Sequence, residues 1–295
     1  MNKEMKGAIL IALSTLGSGS MAIFAKLAYE AGLNVLTVLL GRFVLAAILL
    51  WIVSAVLKAN LKIGMKKILT FLGIGIFGYG VMAFLFFTSL KYLTAPVASL
   101  LLYTYPAIVF VLSLIARLEK FHKLKLVSLL LSLSGVLLVV GGNTGVINPR
   151  GIAFVLTAAI LYSFYILISK HVMDGTSPLA ATTYISIGAV IFNLVWALSS
   201  GGVIWHVPAI GWFGIAGTAL FSTVLTLIFF LEGIKYLGPS AAAIISTTEP
   251  VITTALASLV LGEHLTPKQL IGGMVIITGV LALQLAGKKK TPETA

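Results

Sequence analysis

The chain has 295 residues, of which 59% are hydrophobic and 9% charged; soluble domains carry about 25% charged residues, so this composition excludes an ordinary water-soluble domain and indicates a membrane protein. Its net charge of +12 does not indicate nucleic acid, because the basic residues fall in short loops between apolar runs, where anionic lipid of the inner leaflet is the fitting partner. The absence of cysteine excludes disulfides and thiol chemistry, and the scattered His122, His171, His206 and His264 lack metal-ligand spacing, so neither metal nor cofactor is expected.

A membrane-spanning helix needs about 20 apolar residues. Ten segments meet that requirement: 7–28, 34–57, 68–90, 95–116, 124–142, 151–170, 178–199, 209–232, 239–261 and 268–286. Their breaks carry Gly, Pro or clustered charge, as at Gly238-Pro239. Lipid favours helices here, because each helix satisfies its own backbone hydrogen bonds.

Segment one follows Lys3 and Lys6 and has the outline of a signal peptide. Its Gly7 and Lys26 have counterparts later in the chain, which makes it a retained span. Segment two holds Arg42. Segment three is glycine-rich (Gly73, Gly75, Gly78, Gly80) and contains Tyr79, while segment four contains Tyr103, Tyr105 and Pro106. Segment six holds Tyr162, Tyr165 and Lys170. Segment eight repeats the glycine pattern with Gly211, Gly214 and Gly217, and segment nine holds Glu249 and Pro250.

The second half echoes the first at a spacing of 144 residues. Lys91-Tyr92-Leu93 returns as Lys235-Tyr236-Leu237, Pro106 as Pro250, Glu119 as Glu263, and Gly135-Val136-Leu137 as Gly279-Val280-Leu281. The same shift takes Gly7 to Gly151, Lys26 to Lys170 and Phe77 to Phe221. Such an echo in a chain this apolar is the mark of a transporter built from two related halves.

Positive charge sets the orientation. Lys3, Lys6, the loop clusters Lys58 to Lys67 and Arg117 to Lys125, then Lys170, Lys235 and Lys288 to Lys290 place fifteen basic residues on one side. Lys91, Arg150 and Lys268 are the three on the other. Both termini are therefore expected in the cytoplasm. Five segments per repeat is an odd number, so the halves are expected to be inverted. The expected fold is an all-α polytopic membrane protein with ten transmembrane helices in two inverted five-helix repeats. Residues 1–142 form the first repeat, 143–150 a connecting loop, 151–287 the second repeat and 288–295 a basic cytoplasmic tail.

Two five-helix halves, a Pro in the fourth helix of each, a Glu at that helix's end and a Gly-Val in the fifth resemble the EamA family of the drug/metabolite transporter superfamily. The stretch from Glu249-Pro250-Val251 to Gly262-Glu263-His264 and Gly279-Val280 is its most specific part. The first half departs from it, with Arg117-Leu118-Glu119-Lys120 where the second reads Gly262-Glu263. The resemblance implies a secondary carrier in the cell membrane, working by alternating access and often exporting small metabolites such as amino acids. A passive facilitator or channel is the alternative. An intramembrane enzyme lacks a nucleophile–base pair, and no catalytic residue is assigned.

Glu249 is the leading candidate for substrate binding and proton coupling. It lies about eleven residues into segment nine, roughly 15 Å from either end at 1.5 Å per residue, where a carboxylate faces a cavity or a partner. Pro250 removes a backbone donor beside it. A structural Glu, protonated or bonded to a neighbouring Ser or Thr such as the adjacent Thr247 or Thr248, is the competing account. Arg42 either meets a substrate carboxylate, pairs with Glu249, or is bonded structurally to helix carbonyls. Tyr105, the 144-residue mate of Glu249, joins Tyr79, Tyr103 and Tyr162 as candidate walls of an aromatic cavity, against ordinary packing. Pro106 and Pro250 are helix breaks. Lys26 and Lys170 either snorkel to the interface or gate the two mouths. The expected partners are a small-molecule substrate, protons and membrane lipid.

Overall fold

The structure is a computed structural model and describes residues 3–89, 92–93, 98, 101–140, 148–261 and 266–288; positions 22, 26, 139–140, 254, 257–258, 260–261, 269 and 284–288 are described in backbone only. Among the described residues every regular element is a helix and none is a strand. Six helical stretches are long and apolar enough to cross a membrane: Lys3–Glu30, Val35–Val56, Met65–Ser89, Pro149–Val172, Pro178–Ser200 and Ala209–Leu237. Segments four and nine correspond to interrupted or shorter helices, Tyr105–Ile115 and Pro239–Ser246 with Glu249–Leu261, and segments five and ten to the continuous helices Lys123–Val140 and Pro267–Lys288. The chain is thus a multi-pass membrane protein, with six of the ten expected spans established by length and composition.

Local sequence starts and stops these helices. The Asn34 side chain accepts from Thr37 N at 2.9 Å, Asn148 from Arg150 N at 2.9 Å, and Ser177 from Ala180 N at 3.2 Å. Each satisfies a first-turn N–H that the helix leaves without an internal partner. Pro149, Pro178 and Pro239 occupy first-turn positions, where the missing N–H costs nothing. Gly201 and Gly238 end helices at positive φ, 63° and 79°.

The end of segment eight differs from expectation: read as 232, it lies at Leu237. The Lys235 ammonium bonds to the Thr176 carbonyl at 2.9 Å and lies 3.5 Å from Glu232, so its charge has partners in place.

The 144-residue echo reappears as matched contacts. A Cβ on Gly7 would come within 2.7 Å of Leu237 and 2.9 Å of Tyr236; one on Gly151 would meet Leu93 at 2.6 Å and Tyr92 at 2.8 Å. Likewise Gly135 lies against Ile276 and the Gly272 carbonyl, and Gly279 against Ser132 and the Ser128 carbonyl. Glycine lets these backbones approach closely. Segments one and six thus each pack on the opposite half, and segments five and ten pack on each other. The glycines of segments three and eight are less alike: a Cβ on Gly217 would strike the Phe24 ring at 2.2 Å, whereas one on Gly73 meets nothing within 4 Å.

Two further features interrupt the long helices at related positions. Ile74–Gly80 and Leu220–Leu225 are π-helical. In the second, the Thr223 and Thr226 hydroxyls donate to carbonyls five residues back, Thr218 O at 3.0 Å and Phe221 O at 2.9 Å, which matches the wide turn. Such bulges occur often at functional sites.

Candidate functional site

Segment nine breaks where its sequence requires. Pro250 has no N–H to give the Ser246 carbonyl, so the helix stops at Ser246 and restarts at Glu249. The Thr247 and Thr248 amides instead close tight turns on Ile244 O and Ile245 O at 3.1 and 3.0 Å, and their hydroxyls back the same carbonyls. Segment four repeats this arrangement. Thr104 N and its hydroxyl both turn back to Leu101 O, and the helix restarts at Tyr105-Pro106. Glu249 and Tyr105 therefore stand at equivalent helix starts.

Segment one also breaks here, at Ser20, between helices Lys3–Gly19 and Met21–Glu30. Its polar residues hold the break of segment nine. The Thr248 hydroxyl lies 3.3 Å from Thr15 Oγ1, and Thr253 donates to Gly19 O at 3.2 Å. Ser18 and Arg42 lie near enough to the Glu249 carboxylate to act on it electrostatically, while the Ser18 hydroxyl itself donates to Thr15 O at 3.3 Å. Glu249 is partly exposed.

Arg42 is buried, with 4% of its surface exposed. Its Nε donates to Thr223 Oγ1 at 2.7 Å, and its Nη2 to the Tyr79 hydroxyl and Ser222 O, both at 3.1 Å. Its Nη1 faces the Met21 thioether at 2.9 Å, a weak acceptor. The Phe43 ring lies under the guanidinium, 5.2 Å from centroid to Cζ. Lys125 pairs with Glu119 and Lys235 with Glu232, whereas among the described residues no ion pair within 4 Å joins Arg42 to Glu249. The two π-helical segments supply the anchors, since Tyr79 lies in one and Ser222 and Thr223 in the other.

The tyrosines form one connected ladder. Tyr79 and Tyr165 have centroids 5.7 Å apart, Tyr165 stacks on Tyr162 at 5.7 Å, Tyr162 meets Tyr105 edge-on at 4.8 Å, and Tyr105 lies 6.3 Å from Tyr103. Edge-to-face and offset pairs of this kind favour their rigid arrangement. Tyr105, Tyr103, Tyr79 and Tyr165 are buried, and Tyr162 is partly exposed. The Tyr165 hydroxyl has no hydrogen bond within 3.5 Å.

The residues predicted from sequence thus come together: Arg42, Tyr79, Tyr103, Tyr105, Tyr162 and Glu249 share one cluster. Lys170 lies apart, its ammonium donating to Lys235 O at 2.9 Å. The Lys26 side chain falls outside the described residues. Sequence reasoning missed Ser18, Met21 and Thr223. The 144-residue shift contains the signal for all three, because they are the mates of Tyr162, Tyr165 and Tyr79. By the same shift Glu249, Ser18, Met21, Thr223 and Arg42 are the mates of Tyr105, Tyr162, Tyr165, Tyr79 and Ser186, so equivalent positions of the two repeats carry unlike chemistry.

The sequence profile of the EamA-like transporter family matches residues 5–141 and, a second time, 149–284. Over 298 residues the chain is 30% identical to the uncharacterized transporter YcbK of Bacillus subtilis (strain 168), covering 96% of this chain and 95% of that protein. It is 31% identical over 253 residues to YyaM of the same organism, another uncharacterized transporter, covering 81% of each. Over 225 residues it is 26% identical to the threonine/homoserine exporter RhtA of Escherichia coli (strain K12), covering 76% of this chain and 72% of that one. A solved crystal structure superposes with a TM-score of 0.84, covering 97% of this chain and 99% of its own, at 15% identity, which establishes a shared fold.

Proposed function

Because the chain belongs to the EamA-like transporter family, we propose that it is a secondary transporter that exports a small organic metabolite, an amino acid or related compound, by alternating access. In this reading ten helices span the plasma membrane as two inverted repeats, residues 1–142 and 151–287, with both termini in the cytoplasm. The positive-inside pattern and the matched Gly7 and Gly151 contacts support it.

One observation carries the substrate assignment. Arg42 and Glu249 lie in one cluster without pairing directly, and the tyrosine ladder adjoins them through Tyr79, which accepts from Arg42. A zwitterion offers matching groups, its ammonium to Glu249 and its carboxylate to Arg42 Nη1, whose present neighbour is the Met21 thioether. The tyrosine rings then take the apolar part of the solute. The partial similarity to a threonine/homoserine exporter agrees with this choice. Energy comes from a gradient, since the sequence has no P-loop of the GxxxxGK[ST] type. We assign proton exchange to Glu249, a carboxylate that can bind a proton or the substrate ammonium in turn.

Counterflow in proteoliposomes tests the assignment. Vesicles preloaded with threonine, homoserine or another unlabelled amino acid should accumulate the same labelled compound saturably. Flux that rises linearly with concentration and shows no exchange would replace the carrier with a channel.

A further inference from the structure

Outside this site, the densest polar assembly surrounds a cavity of about 370 Å³ at the face read as cytoplasmic, lined in part by Glu119, Lys125, Lys170, Lys235 and Gly238. Glu119 links the two halves there. Its Oε1 accepts from Ser240 N at 3.2 Å, in the first turn of Pro239–Ser246, and its Oε2 pairs with Lys125. Gly238 makes this approach possible, because a Cβ there would lie 2.9 Å from Glu119 Oε1. Lys170 ties the end of segment six to Lys235 O at 2.9 Å, and Lys235 ties segment eight to Thr176 O at 2.9 Å. Lys67, at the start of segment three, donates to Thr176 Oγ1 at 3.0 Å and to Asp174 O. Beneath these contacts every residue of Pro239–Ser246 is buried, so the inner half of segment nine is sealed.

The opposite face lacks the residues for the same assembly. Under the 144-residue shift Ser240 corresponds to Pro96, which has no N–H to give a carboxylate. Lys67 corresponds to Gly211, Lys125 to Gln269 and Thr176 to Gly32. Of the donors and acceptors in the inner assembly, Lys170, Lys235 and Glu119 have like mates, in Lys26, Lys91 and Glu263.

We propose that Glu119, Lys125, Lys67, Thr176, Lys170 and Lys235 form a polar clasp that holds the inner face shut in the empty carrier. Among the described residues the outer face has neutral contacts, Asn34 Nδ2 to Gly202 O and Ile204 N to Thr37 Oγ1, in place of this charged set, so the carrier rests closed inward and open outward. Entry of solute from the cytoplasm must first break these contacts. The inference rests on the alternating-access reading and on the assigned orientation.

The chain contains no cysteine, so a single introduced thiol reports alone. Ala243→Cys places one in the sealed inner half of segment nine, and Ala255→Cys one in the other half. Membrane-impermeant maleimide should label Ala243→Cys slowly in inside-out vesicles. Adding Glu119→Gln with Lys67→Ala removes both Lys67 bonds and the charge facing Lys125, and should speed that reaction about tenfold, since partly exposed charged contacts are each worth only a few-fold on a two-state equilibrium. The same changes should slow labelling of Ala255→Cys in right-side-out vesicles. High salt should speed Ala243→Cys labelling in the intact chain and leave the clasp-deficient variant unmoved. Unchanged Ala243→Cys rates would overturn the clasp, as would acceleration of both reporters together, which marks general loosening. Labelling of Ala243→Cys from right-side-out vesicles alone would instead overturn the orientation, a separate failure.

Discussion

Tyr79 and Thr223 stand 144 residues apart and hold the same guanidinium: Arg42 donates to the Tyr79 hydroxyl at 3.1 Å and to Thr223 Oγ1 at 2.7 Å. Both sit in π-helical segments, which suggests why those wide turns are kept in two otherwise regular helices. The two halves of the chain thus meet on one buried cation, and its orientation depends on both.

Thr223→Val removes the shortest of these bonds and leaves a charged donor without its acceptor. A loss of about 1–3 kcal/mol is expected, read as a fall in Tm of the purified protein. Tyr79→Phe should cost a similar amount. The pair should be non-additive, because both act on one group. Strictly additive losses would show that Arg42 is not held in common.

Arg42→Lys keeps the charge but loses the planar fork that reaches Thr223, Tyr79 and Met21 at once. Counterflow should fall at least about tenfold, with a larger effect on half-saturating concentration than on maximal rate, since positioning of the carboxylate is lost. A wild-type concentration dependence would remove Arg42 from the site.

Tyr162→Phe should retain transport, because the ring stacking on Tyr165 and the edge contact with Tyr105 persist. Tyr162→Ala breaks the ladder at its partly exposed member. It should weaken substrate affinity by roughly 0.5–1.5 kcal/mol beyond the area lost, measured by competition binding. Equal behaviour of the two variants would make the ladder packing alone.

Gly279→Leu and Gly135→Leu should each destabilise the protein by about 1–3 kcal/mol, because the new side chains meet backbone across the contact of segments five and ten. Gly73→Ala is the contrast. Nothing lies within 4 Å of its Cβ, so stability should hold or rise by up to about 1 kcal/mol. Matched thermal unfolding curves for Gly135→Leu and Gly73→Ala would contradict the packing described.

Much of the site was legible because charge in an apolar segment is conspicuous. Arg42 and Glu249 stood out for that reason, and Pro250 marked the break that places Glu249 at a helix start. Ser18, Met21 and Thr223 did not stand out, since small hydroxyls and Met are unremarkable in apolar helices; only their equivalence to Tyr162, Tyr165 and Tyr79 distinguishes them. The π-helical segments left no trace in periodicity, because Thr hydroxyls bonding five residues back look like ordinary Thr in sequence. Gly73 and Gly217 show the opposite error: matched in sequence, they face open space and an aromatic ring respectively. The end of segment eight was misplaced because Lys235 reads as a loop residue until Thr176 and Glu232 are seen to receive its charge.

The central claim is that Glu249 exchanges a proton as solute crosses the bilayer. Its most direct test is substrate-driven proton movement, followed with a pH dye trapped inside proteoliposomes of the intact chain and of Glu249→Gln. The account predicts that a solute gradient moves protons through the intact protein, whereas Glu249→Gln moves none and its residual exchange no longer responds to pH. Equal proton movement by the two proteins would contradict it.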